Sequence, residues 1–77
     1  MKIQGINKYH LRLYYRLKVK ELIKKIEVES IKSITRISLE SRLLQILEDC
    51  DFLKRVHGFK IFTSEEINQY YDLLLNN

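Results

Sequence analysis

From Tyr9 to Val19 every odd position is apolar: Tyr9, Leu11, Leu13, Tyr15, Leu17 and Val19, with basic or aromatic residues between them. That alternation suits a half-buried strand. The same stretch also fits a period of 3.6. Leu11, Tyr15, Val19, Leu22, Ile23 and Ile26 share one stripe, and the stripe continues into KELIKKI, where alternation fails. No Pro or Gly breaks the run, and Leu, Arg, Lys and Glu are good helix formers. The pattern therefore predicts a helix over residues 9–26, about 27 Å long, with a strand at 9–19 as the alternative. Asn7 is placed to cap it. On this helix Leu13 and Leu17 lie off the main stripe and need a second contact.

Beyond that helix the pattern changes. Val28, Ile31, Ile34 and Ile37 recur every third residue, but residues 28–39 are rich in β-branched side chains and Ser, which favour strand or turn. A short helix or irregular linker is expected there, with a strand as the alternative. Over residues 39–56 the stripe Leu39, Leu43, Ile46, Leu47, Cys50 and Leu53 predicts a second long helix, with Ser38 as its N-cap and Gly58 as its stop. Residues 59–62, FKIF, read as a short apolar connector or strand. Thr63 and Glu66 then form a capping box that opens a last helix carrying Ile67, Tyr70, Tyr71 and Leu74 on one side. The leading residues 1–7, with Ile3, Gly5 and Ile6, suit a brief edge strand or a tail tucked on a helix. The expected fold is mainly α, a single domain over residues 1–77 with three to four helices and a short strand at 59–62. The alternative is α+β, with a strand at 9–19.

A chain of 77 residues buries a limited core. Its one cysteine, Cys50, excludes an intrachain disulfide, and Cys50, His10 and His57 are too few soft ligands for a structural metal. Self-association is the remaining common aid to a small fold. No apolar run is long enough to span a membrane, and the first ten residues lack the apolar core of a signal peptide, so a cytoplasmic location is expected. The shortage of Pro, Ala and Trp beside abundant Ile, Leu, Lys and Tyr suits an AT-rich genome: viral, phage, plasmid or low-GC bacterial.

Charge is uneven along the chain. Residues 1–36 hold ten Lys/Arg against three Glu, a net +7; residues 37–77 hold four Lys/Arg against seven acids, a net −3. Catalysis is not expected, because no nucleophile, base and oxyanion donor assemble, and two glycines supply no phosphate-cradling loop. Cys50 lies between Asp49 and Asp51 on the apolar stripe, which suits a buried thiol and opposes a thiolate. No cofactor or small-molecule substrate is implied.

Nucleic-acid binding by a basic regulatory protein is the first functional expectation. It rests on Arg12, Arg16, Lys18, Lys20, Lys24 and Lys25, with Tyr14 to stack on a base. A solvated helix with Lys and Arg on its polar side gives the same pattern. The second expectation is a protein-interaction module, in which Leu13, Leu17, Tyr70, Tyr71 and Leu74 supply more apolar surface than one small core needs. Its partner is a second copy, as a homodimer, or a larger protein. Binding of the basic helix to a membrane surface ranks third.

Two DNA-binding architectures bear on the first expectation. Ile34–Leu39 followed by a helix, a turn at Gly58 and the Thr63 helix resembles a ribbon–helix–helix, which implies a strand reading DNA through Arg36 and Ser38. The chain departs from it in the long span from Leu47 to Thr63 and in Ile34, which would face the DNA. The FKIF segment before a capped helix resembles part of a winged helix. No compact helix–turn–helix pattern is present.

Overall fold

The computed structural model describes residues 7–30 and 33–75. These form three helices in chain order: α1 (Lys8–Val28), α2 (Ile34–His57) and α3 (Ser64–Leu75). Among the described residues there is no strand, so the fold is a small all-helical domain. The expectations for residues 1–6 and for Ile31 lie outside the described residues.

The alternation at 9–19 is not read out as a strand, because those residues continue without a break into α1. Asn7 caps that helix as expected, its Oδ1 accepting from the amides of Tyr9 at 2.9 Å and His10 at 3.4 Å. Val19, Leu22 and Ile26 are buried, while Leu11, Tyr15 and Ile23 flank them. The 3.6-residue period thus decides the core, and the period-2 pattern is incidental.

α2 begins five residues earlier than the pattern implied. Ser33, not Ser38, is the N-cap, its hydroxyl accepting from the amides of Thr35 at 3.1 Å and Arg36 at 3.4 Å. The β-branched residues at 34–37 therefore sit inside a helix, where capping and burial of Arg36 and Leu39 outweigh their weak propensity. This removes the basis of the ribbon–helix–helix likeness. Arg36 does not face outward as a base reader. It is buried, pairs with Glu40 at 3.3 Å, and donates to the Glu29 carbonyl at 3.1 Å, tying the end of α1 to the start of α2. α2 ends as expected at Gly58, whose φ of 65° is the left-handed cap that favours glycine.

Residues 59–62 are not a strand. Phe59, Ile61 and Phe62 are buried as an apolar plug between helices. The capping box at the start of α3 forms in both directions: Thr63 Oγ1 accepts from the Glu66 amide at 3.1 Å, and Glu66 Oε1 accepts from the Thr63 amide at 2.9 Å. α1 and α2 run antiparallel, with Tyr15 near Cys50 and, further along, Leu22 and Lys25 beside Arg42. Their shared core is Val19, Leu22 and Ile26 against Leu39, Leu43, Leu47, Cys50 and Leu53, closed by the plug.

Candidate interaction surface

The basic residues of α1 divide into two groups with different work. Arg12 and Arg16 face the plug. Arg12 donates from Nε and Nη2 to the Lys60 carbonyl, at 3.2 and 3.1 Å, with its guanidinium 5.0 Å from the Phe59 ring centre. Arg16 donates from Nη1 to the Ile61 carbonyl at 3.0 Å and grips both Glu66 oxygens, at 3.0 and 2.6 Å. It also lies 5.3 Å from the Phe62 ring centre. A connector without helix or strand leaves its carbonyls without regular partners. The two arginines satisfy those of Lys60 and Ile61 and cover the aromatic rings. The Arg16 hydrogen bonds hold the Glu66 carboxyl below its usual value and raise Arg16 further. Two of the six cations expected to contact nucleic acid are thus engaged within the fold.

Lys18, Lys20, Lys24 and Lys25 are exposed, and none is in an ion pair among the described residues. They form two rows. Lys20 and Lys24 border a groove with Leu13, Leu17 and Phe62 on one side of α1. Lys18 and Lys25 border the α1–α2 groove on the other, beside Tyr14, Arg42 and Asp49. Lys18 lies 5.9 Å from the Tyr14 ring centre. On the Lys20–Lys24 side the helix also presents Leu13, 43% exposed, and Leu17, 50% exposed, in line with those lysines along the same groove. At 100° per residue both point away from Val19 and Ile26. The second contact that these leucines need is not supplied by the described chain.

The C-terminal aromatics are placed differently. Tyr70 packs edge-on against Phe62, with ring centres 5.3 Å apart, and burial raises its hydroxyl pKa. Tyr71 and Leu74 are also half-buried against the core. These three support the plug and the flank of the core, leaving Leu13 and Leu17 as the open members of the expected interface set.

Cys50 is a core residue. Burial, followed by the charge of Asp49, pushes its thiol up to about 12, so it is protonated at neutral pH. The cleft beside it, between α2, the plug and α3, is about 200 Å³.

Two features escaped sequence reasoning. Arg42 joins the Lys18–Lys25 groove only because α2 packs antiparallel to α1, which no local pattern announces. The outward side of α2 also exposes Ile34, Ile37, Leu44, Phe52 and Val56. Their spacing was available in the sequence, but reading 28–39 as linker cut the stripe in two. No helix of the described residues is long and apolar enough to cross a membrane. No family model matches the chain, and neither a curated protein nor a solved structure does.

Proposed function

We propose that this chain is a protein-interaction module, and that the outer face of α1 docks on an acidic protein surface with an apolar centre. The observation that carries this is the pair of exposed leucines, Leu13 and Leu17, continued along the same groove by the unpaired Lys20 and Lys24. Exposed apolar side chains bordered by charge are the usual anatomy of a protein interface, with burial at the apolar part and steering by the charge. A second copy does not suit this face. A symmetric pairing would bring the lysine rows of both copies together, and like charges oppose it.

Nucleic-acid binding is the second reading, favoured by the four free lysines and the exposed Tyr14 beside Lys18. It ranks lower because phosphates offer the two leucines nothing, and because Arg12 and Arg16 are committed to the plug. Membrane-surface binding shares the leucines but has no feature of its own here.

Four proteins separate these readings: wild type, Leu13→Ser/Leu17→Ser, Lys20→Ala/Lys24→Ala, and Lys18→Ala/Lys25→Ala. Each is used as bait in lysate of the source organism, and each is titrated with duplex DNA, single-stranded RNA and anionic vesicles across a salt series. Protein docking predicts captured protein that is lost with the leucine variant and weakened by either lysine variant. Tight, steeply salt-dependent binding to DNA or RNA that ignores the leucine changes would replace this reading with the second.

A further inference from the structure

The outward side of α2 carries a largely exposed apolar stripe, of which Ile37 and Leu44 border a groove with Tyr71, Leu74 and Leu75 of α3. Ile34 is 84% exposed, Ile37 55%, Leu44 40%, Phe52 45% and Val56 56%. At 100° per residue they fall within a band of about 120° on the side away from Leu39, Leu43 and Leu47. Phe52 is steadied by an edge-on contact with His57, ring centres 6.0 Å apart. Burying an exposed side chain of this size is worth about 1.5–3 kcal/mol, so five on one face favour association.

The order of residues along the stripe says what covers it. Its centre is Gln45. Ile34 lies eleven residues before that point and Val56 eleven after it; Ile37 lies eight before and Phe52 seven after. Inside these ends lie Ser41, four residues before the centre, and Glu48, three after it, with Leu44 one residue before the centre. The pattern reads nearly the same in both directions. A helix of this kind is complementary to its own copy laid antiparallel, with a two-fold axis crossing near Gln45. Ile34 and Ile37 of one copy then meet Val56 and Phe52 of the other, twice over.

Charge agrees with that register. Arg42 is exposed and in no ion pair among the described residues, while Glu48 is exposed and Asp49 half-buried. Arg42 lies three residues before the centre, and Glu48 and Asp49 three and four after it. The antiparallel register sets each Arg42 against Asp49 of the other copy on the flank of the interface, giving two equivalent ion pairs. A parallel register sets Glu48 against Glu48 at the middle of the stripe. Unlike the lysine face of α1, this face suits a second copy.

From these features we infer that the protein forms a symmetric antiparallel dimer through the outer face of α2, leaving the α1 face of each copy open. The inference does not rest on what α1 binds, although Arg42 and Asp49 also line the Lys18–Lys25 groove. Two copies would present two α1 faces, and so engage a partner with two sites more tightly than either copy alone.

The test is sedimentation equilibrium of the whole protein from micromolar to millimolar concentration, with circular dichroism to check folding. Wild type is expected to be dimeric. Ile37→Glu and Phe52→Glu, at positions exposed in the single copy, are expected to stay helical and weaken the dimer at least tenfold, an effect on the order of 1.4 kcal/mol. Arg42→Glu is expected to weaken it as well, and mixing Arg42→Glu with Glu48→Lys/Asp49→Lys to restore pairing between unlike copies. A Gln45→Cys variant, oxidised, is expected to cross-link to itself; Ile34→Cys is expected to cross-link to Val56→Cys and not to itself. A monomer throughout the range overturns the inference. So does a dimer indifferent to both glutamate variants, or an Ile34→Cys variant that cross-links only to itself.

Discussion

At the scale of single residues, the contact that holds most together is Arg16. One guanidinium satisfies the Ile61 carbonyl, clamps the Glu66 carboxylate and lies against Phe62. Glu66 in turn closes the capping box at the Thr63 amide. Its pKa is lowered, first by the Arg16 hydrogen bond. The linkage sign follows from that direction. A carboxyl whose folded pKa lies below its unfolded value stabilises the fold above the unfolded pKa, about 4.3 for Glu, and loses that contribution as pH falls through the folded value. The Arg16 side chain is 42% exposed, so solvent screening keeps the pair modest. Glu66→Gln is therefore expected to cost about 1 kcal/mol at pH 7, with wild type and variant converging as the pH falls through the lowered folded value. Urea unfolding of both proteins at several pH values checks this. A cost that stays the same from pH 7 down to the onset of acid unfolding would show that Glu66 acts through shape alone.

At the scale of elements, helix boundaries separate what local pattern fixes from what packing fixes. The capping box at Thr63 was legible because its two side chains and two amides all lie within four residues. The stop at Gly58 and the cap at Asn7 were legible for the same reason. The start of α2 was not. Ser33 and Ser38 are equally good caps by residue type, and Ile34, Thr35 and Ile37 argue locally against helix. The choice falls to Ser33 because Arg36, seven residues past Glu29, reaches back to that carbonyl at 3.1 Å and pairs with Glu40. Those contacts exist only when α2 already runs through residue 36. Ser33→Ala is thus expected to lower stability by about 1 kcal/mol. Ser38→Ala, in an exposed helix interior, is expected to change it by less than about 0.5 kcal/mol or to raise it slightly. Parallel thermal melts decide between the two serines, and a larger cost at Ser38 would move the helix start.

At the scale of the whole molecule, the charge asymmetry carries two meanings that composition cannot separate. The basic first half and the acidic second half are legible as totals, and a basic helix reads naturally as a surface for an anionic partner. Which cations face outward depends on where residues 59–62 return, a contact some forty-five residues away in the chain. Arg12 and Arg16 are spent on that return, whereas Lys18, Lys20, Lys24 and Lys25 remain. The same long-range packing decides that Leu13 and Leu17 stay uncovered while Tyr70, Tyr71 and Leu74 are half-buried. Substitution separates the two groups of cations. Arg12→Ala/Arg16→Ala strips hydrogen bonds from the Lys60 and Ile61 carbonyls and uncovers two rings, so it is expected to cost about 2 kcal/mol. For a domain of this size that is a drop of about 8–16 °C in Tm. Lys20→Ala/Lys24→Ala removes exposed side chains with no ion pair and is expected to leave Tm within a few degrees, about 0.5 kcal/mol. Lost binding in the arginine variant would therefore report a loosened plug, and lost binding in the lysine variant would report the surface itself. Equal melting temperatures for the two variants would return Arg12 and Arg16 to the set of free cations.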